Sequence, residues 1–204
     1  LYAAVIVAWG FSWIAMHYQV GVVEPEVSVV WRFLLAAPIM FALASARGES
    51  LRFGPRDHLA LLGLGIALFC TNFVLFYYGA KWITSGLLAV IFSLASVINV
   101  GLGALVLGAT IDRRVVLGGA LGFCGVAAMF YPQIAGTQLD PKVLIGLALC
   151  IGGTVSFCFG NMISAGLQRR KVPVFAGSAW GMLYGTATLA LVAALRGQPF
   201  IGRS

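Results

Sequence analysis

The stretch WRFLLAAPIMFALASARG, residues 31–48, decides the fold, because WGMLYGTATLALVAALRG, residues 180–197, repeats its frame further along the chain. Trp31 lies 149 positions before Trp180, and Arg47-Gly48 lies 149 before Arg196-Gly197. Between these landmarks both stretches stay apolar or small, and Pro25 and Pro173 bracket them one position out of register. Working outward, apolar runs of membrane-spanning length fall at about 2–21, 27–46, 58–79, 85–107, 115–131, 143–167 and 173–195, since roughly 20 apolar residues cross a bilayer as a helix. The two copies are the second and seventh of these segments. They stand five apart, an odd number, so they must cross the membrane in opposite directions.

Composition supports this reading. Of the 204 residues 61% are hydrophobic and 9% charged, and the mean hydropathy is +0.99. A soluble domain carries about 25% charged residues, and this chain in water would expose far too much apolar surface. The expected class is an all-α polytopic membrane protein, embedded in the lipid bilayer. A net charge of +7 could suggest nucleic acid, but the basic residues sit in short clusters between apolar segments, as topology signals do. Nucleic acid is therefore not an expected partner. Cys70, Cys124, Cys150 and Cys158 all lie within apolar segments without metal-ligand spacing and read as packing residues.

Charge also orients the chain. Lys and Arg number eight in the loops after segments two, four and six, against four on the opposite side. That asymmetry places the first set, and the N-terminus, in the cytoplasm; a bacterial inner membrane is the expected location. The fifth segment is the shortest, and Gly118, Gly119, Gly122 and Gly125 mark it for tight helix contacts. The 47–57 loop, with Arg52 and Arg56 among Leu51 and Phe53, has the composition of a segment lying on the membrane surface. Inverted repeats are a transporter architecture, with the site at the repeat interface. On that basis residues 1–131 read as one five-helix repeat and residues 143–204 as the start of a second, so the chain reads as a fragment lacking about three helices.

Polar residues inside the spans are the candidates for a site. Arg32 is the one Lys, Arg, Asp or Glu well inside a span. It reads first as a cation that snorkels outward or pairs with Glu24 or Glu26, and second as a substrate-facing or gating group. The first segment spaces Trp9, Trp13 and His17 at i, i+4 and i+8, with Ser12 alongside, a one-sided stripe facing the bundle interior. His17 reads first as a hydrogen-bonded structural histidine near the outer surface and second, with an unperturbed pKa of about 6.5, as a proton carrier. The third segment adds Asn72 and Tyr78, the fourth Ser93, Ser96 and Asn99, the sixth Asn161, and the seventh Trp180 and Tyr184 beside the ladder Gly177, Gly181, Gly185. Glycine every fourth residue lets two helices approach closely, and the three Asn amides serve either as interhelical glue or as lining of a polar cavity.

No carboxylate lies deep in any span, so ion coupling through an intramembrane acid has no candidate; coupling then uses His17 or the missing helices, or transport is uncoupled. Catalysis has little support. Gly10-Phe11-Ser12-Trp13 only faintly resembles a serine-hydrolase elbow, Trp13 replacing the second glycine, and no phosphate loop, zinc spacing or cofactor motif occurs. No cofactor and no metal are expected.

Several stretches in order resemble the EamA-type branch of the drug/metabolite transporter superfamily. They are Ala8-Trp9-Gly10-Phe11-Ser12 in the first segment, Trp31-Arg32-Phe33-Leu34-Leu35 in the second, and Tyr77 to Leu87 across the third and fourth. Leu107-Gly108 leading through Arg114 to the fifth-segment glycines completes the set. The resemblance implies ten helices in two inverted five-helix repeats, a central cavity, and alternating access for small organic metabolites or drugs, amino-acid export among them. Trp9, Ser12, Trp13, His17, Arg32, Asn72, Tyr78, Ser93, Ser96, Asn99, Asn161, Trp180 and Tyr184 are then the expected substrate-binding set, a small molecule the expected partner, and a homodimer the oligomeric state to consider. Two departures stand out. Ala109 replaces a frequent family Glu, and Ser93-Leu94-Ala95-Ser96 replaces a frequent mid-helix proline. A nucleotide-sugar-type carrier of the same architecture and a non-transporting membrane scaffold subunit are the alternatives.

Overall fold

The computed structural model describes residues 24–108, 110–135 and 140–198, and among these the only regular structure is helical. Six long helices follow one another: α1 Pro25–Ala46, α2 Pro55–Gly79, α3 Ser85–Leu107, α4 Arg113–Ala135, α5 Pro141–Arg169 and α6 Val174–Leu195. They correspond to segments two to seven; the first segment lies outside the described residues. All but α4 are long and apolar enough to count as candidate membrane spans. The chain is an integral membrane protein of polytopic all-α fold.

Local chemistry sets the ends. Pro25, Pro55 and Pro141 open their helices, where a missing N–H costs nothing. The Asp140 carboxylate accepts from the Lys142 amide at 2.9 Å and the Thr84 hydroxyl accepts from the Leu87 amide, each serving a free N–H of a first turn. At the other ends Gly48, Gly108 and Gly197 take φ of +68°, +63° and +65°, the left-handed conformation that only glycine adopts without strain. Helix α4 runs 23 residues, longer than the 115–131 read from hydropathy, because Arg113 and Arg114 at its start and the polar tail at its end remain helical.

Two helices are irregular. In α2, Gly65–Thr71 winds as a π-turn, and the Ser156 hydroxyl of α5 donates to the Ala67 carbonyl inside it at 2.8 Å. Helix α3 breaks at Leu94 although the family's proline is absent. Ser93 Oγ donates to the Val90 carbonyl at 2.6 Å, and the Leu94 amide bonds Ile91 at 3.1 Å, one residue short of an α-turn. A serine that competes for its own helix carbonyl bends the helix without proline.

Helix α2 is the hub, packed between α5 and α6. On the α5 side a ladder of Gly146, Gly153 and Gly160 meets Gly79, Phe76 and Leu68 in antiparallel order. On the α6 side Gly181 and Gly185 press against Gly65, Leu64 and Phe69 at the π-turn, so the expected glycine ladder does bring two helices together. Gly79 also shows how close the approach is, since a methyl there would meet the Cys150 sulfur.

Helices α1 and α6 pack antiparallel along their lengths, as the inverted copies require. At one end Arg196, just past α6, pairs with Glu26 in the first turn of α1 at 2.7 Å. At the other, Arg47, just past α1, lies over the Phe175 ring in the first turn of α6 at 4.2 Å. Those four positions are related by the same 149-residue offset, 26 to 175 and 47 to 196. Both arginines occupy C-caps of near-identical geometry (φ/ψ −89°/0° and −85°/−1°) followed by a left-handed glycine. Residue i touching j′ while j touches i′ is the mark of a two-fold interface, here formed within one chain.

Candidate functional site

The hydrogen bonds and ring contacts sort the polar and aromatic side chains of the described residues into groups at different depths. Near the basic end, Trp180 and Tyr184 stack at 5.6 Å between ring centroids. His58 stands edge-on to Trp180 at 4.8 Å, and its Nδ1 shares a hydrogen bond of 2.9 Å with the Tyr184 hydroxyl. Phe41 of α1 abuts Trp180 at 5.4 Å, and the indole N–H donates to the Leu51 carbonyl at 3.0 Å. One aromatic wall thus draws on α1, α2 and α6. Just beyond it Asp57 pairs with Arg170, and the Glu49 carboxylate accepts from the Ala176 amide at 2.9 Å, placing a negative charge on the positive end of α6.

Between α3 and α5, Asn161 donates to Asn99 Oδ1 at 3.4 Å, and Phe76, Phe92 and Phe157 form an edge-to-face series between α2, α3 and α5. Asn72 is 5% exposed; its amide N–H donates to the Leu68 carbonyl at 3.2 Å, while its Oδ1 finds no partner among the described residues. Toward the other end Arg32 lies over the Phe73 ring at 5.0 Å. Beyond it comes the Glu26 cluster. Glu26 is 1% exposed, and its carboxylate accepts from Arg196 at 2.7 Å, Tyr78 at 3.0 Å and Gln198 at 3.3 Å.

Set against the sequence expectations, Trp180 and Tyr184 come together, Asn99 meets Asn161, and Tyr78 joins Glu26. Ser93 serves its own helix, and Ser96 is exposed toward Gly119 of α4. Trp9, Ser12, Trp13 and His17 lie outside the described residues. One boundary moves and one expected pairing is corrected. Glu26 belongs to the first turn of α1 and is buried there without lying deep in the span, because Pro25 starts the helix two residues earlier than hydropathy did. And Glu26 pairs with Arg196, leaving Arg32 on an aromatic face, because Arg32 sits further down α1 on a side toward Phe73.

Sequence reading passed over His58 and offered Glu26 only as a partner for Arg32. His58, Leu61 and Gly65 are spaced i, i+3 and i+7, the face that meets α6, so the signal for His58 was present in the helical period. For Glu26 the available signal was Arg196 at the matching place of the opposite repeat.

Comparison with known proteins adds the family. Residues 1–131 match the model of the EamA-like transporter family. PagO of Salmonella typhimurium is 36% identical over 93 residues, covering 46% of this chain and 31% of PagO. A probable amino-acid metabolite efflux pump of the same organism is 24% identical over 170 residues, covering 82% of this chain and 53% of the pump. An uncharacterized transporter of Archaeoglobus fulgidus is 26% identical over 172 residues, covering 84% of this chain and 59% of that protein. A crystal structure superposes with a TM-score of 0.67 at 20% identity, covering 94% of this chain and 67% of that one, a likeness of fold. The chain spans from about a third to three fifths of the length of the curated relatives it matches.

Proposed function

The chain belongs to the EamA-like transporter family, and from that premise we propose that it forms part of a secondary transporter that exports or exchanges small organic metabolites. The observation that carries this reading is the two-fold clasp of α1 and α6, in which Arg196 meets residue 26 and Arg47 meets residue 175. Halves related in that way can exchange conformations, so that a site between them faces each side of the membrane in turn. Residues 1–131 then act as one repeat and 143–204 as the beginning of the other. Eight cations at the end holding the 47–57 and 169–171 loops favour a cytoplasmic location for that end, in a bacterial inner membrane.

The aromatic wall of Trp180 and Tyr184, with the amides of Asn72, Asn99 and Asn161, suits an amphipathic solute held by apolar contact and oriented by a few polar groups. Amino acids are the first class to try, since one relative is named a probable amino-acid metabolite efflux pump. The test is efflux and exchange of radiolabelled L-amino acids, then of other metabolites, by the full-length protein in proteoliposomes. Trp180→Ala should cut transport at least severalfold while the protein still inserts and folds. Wild-type vesicles no more permeable than empty ones across the panel would favour a scaffold subunit instead.

A further inference from the structure

Glu26 is a carboxylate removed from water at the rim of a membrane helix, and it is held by groups that the transport cycle would move. Its counter-ion comes from Arg196 on the far side of the α1–α6 clasp, and the Arg196 side chain is itself 56% exposed. Tyr78 of α2 and Gln198 supply the remaining hydrogen bonds. The other charged or titratable groups of the described residues near it are Glu24 on its own helix, Cys70 on α2, and Lys81, whose ammonium sits over the Tyr78 ring at 4.8 Å. No second cation of these reaches the carboxylate. At the pseudo-symmetric place stands Phe175, which cannot ionise, so the clasp is ionic at one end only.

We propose that Glu26 is the proton-binding site that couples transport, taking up a proton whenever the clasp opens at its end. The inference rests on the alternating-access reading above. A buried ion pair that loses one partner leaves an uncompensated charge, which costs several kcal/mol unless the group neutralises. When α1 and α6 part, Arg196 leaves with α6 and its guanidinium remains charged in water. The Glu26 carboxylate stays with α1, still packed against Tyr78 of α2 and away from bulk water, and becomes a neutral acid by taking one proton from the water that reaches the place Arg196 has left. When the clasp closes, Arg196 returns, and the proton leaves to the cavity, which then faces the other side. Because linkage is reciprocal, acidifying the solution at that end must favour opening there.

The test uses the full-length protein in proteoliposomes with a radiolabelled L-amino acid that the wild type exchanges. With Glu26→Gln, which keeps the shape and bonds to Tyr78, exchange at equal pH should persist within about threefold of wild type. Acceleration of net transport by a pH gradient, and the accompanying proton flux read by a trapped pH dye, should vanish. Persisting acceleration in Glu26→Gln would overturn the proposal while leaving the transporter reading intact. Loss of exchange in well-folded Glu26→Gln would also overturn it, since a coupling site is dispensable for exchange. If the wild type neither exchanges nor moves any panel solute, both readings fall. Should Glu26→Gln not fold, Arg196→Gln removes the returning cation and is expected to abolish the same pH acceleration; unchanged acceleration there counts against the site.

Discussion

Gly65→Ala is the sharpest probe of the packing that sets α2 against α6. A methyl at this position would stand 2.6 Å from the Gly181 carbonyl oxygen, 2.8 Å from the Gly185 amide nitrogen and 3.0 Å from Tyr184 Cβ. Two of those atoms are backbone and the third is fixed to it, so no side-chain rotation relieves the clash. Restoring a 3.4 Å contact to the oxygen requires the helices to part locally by 0.8 Å, the difference between 3.4 and 2.6 Å. A gap of about 0.5–1 Å forfeits a quarter to a half of each dispersion contact across the seam, and overpacking of this kind costs roughly 1–3 kcal/mol. Against it stands the gain of alanine over glycine in a helix, about 1 kcal/mol at most. The net is a destabilisation of up to about 2 kcal/mol. Gly101→Ala is the control, since nothing lies within 4 Å of its added methyl and only the propensity gain applies. Thermal melts of the full-length protein in detergent, followed by circular dichroism, should put Gly65→Ala below wild type and Gly101→Ala at or above it. Gly65→Ala melting level with Gly101→Ala would refute the backbone-to-backbone crossing.

Three further outcomes are expected, two from the structure and one from the charge asymmetry of the loops. A double-mutant cycle on Asn99→Ala and Asn161→Ala should return a coupling of about 0.6–1.7 kcal/mol, as interhelical amide bonds in membranes do; a cycle that sums to zero would leave the two amides independent. Gly48→Ala and Gly197→Ala should each cost roughly 1 kcal/mol in melts, because both glycines sit at positive φ, +68° and +65°; unequal costs would break the equivalence of the two caps. A cysteine placed at Thr137 should react with an impermeant maleimide applied outside cells and one at Ser50 should not, the reverse pattern inverting the membrane orientation.

What could be read from sequence was whatever the backbone and the bilayer impose on residue type. Helix positions, the opposed course of α1 and α6, and the glycine ladder on α6 all follow from apolar length, an odd offset and the need for close approach. The α5 ladder was less visible because its glycines at 146, 153 and 160 recur every seventh residue among other small residues. The π-turn had no signature at all; it arises where Gly65 lets α2 touch α6 and Ser156 reaches Ala67, two tertiary contacts. The break in α3 was expected of a proline and is made by Ser93 instead, a side-chain competition that composition does not reveal. Partner identity was least legible. Trp180 and Tyr184 share a helix face and so could be grouped; the spacing of His58, Leu61 and Gly65 puts His58 on one face of α2, but which side chains that face meets is settled only by tertiary packing.

The clasp also shows why its chemistry has to be sought where the repeats differ. The C-cap arginines, the left-handed glycines and the apolar faces are shared because either copy needs them to end a helix and bury it. A perfectly two-fold clasp would have two equivalent ends, so any difference between the ends has to come from positions the copies do not share. The copies part company at residue 26 against residue 175, where one arginine finds a carboxylate and the other a phenyl ring. They differ again at Glu49, which caps the start of α6, against Gln198, which donates to Glu26. The carboxylate at the buried beginning of α1 is thus one of the features that make the two ends of the clasp unequal.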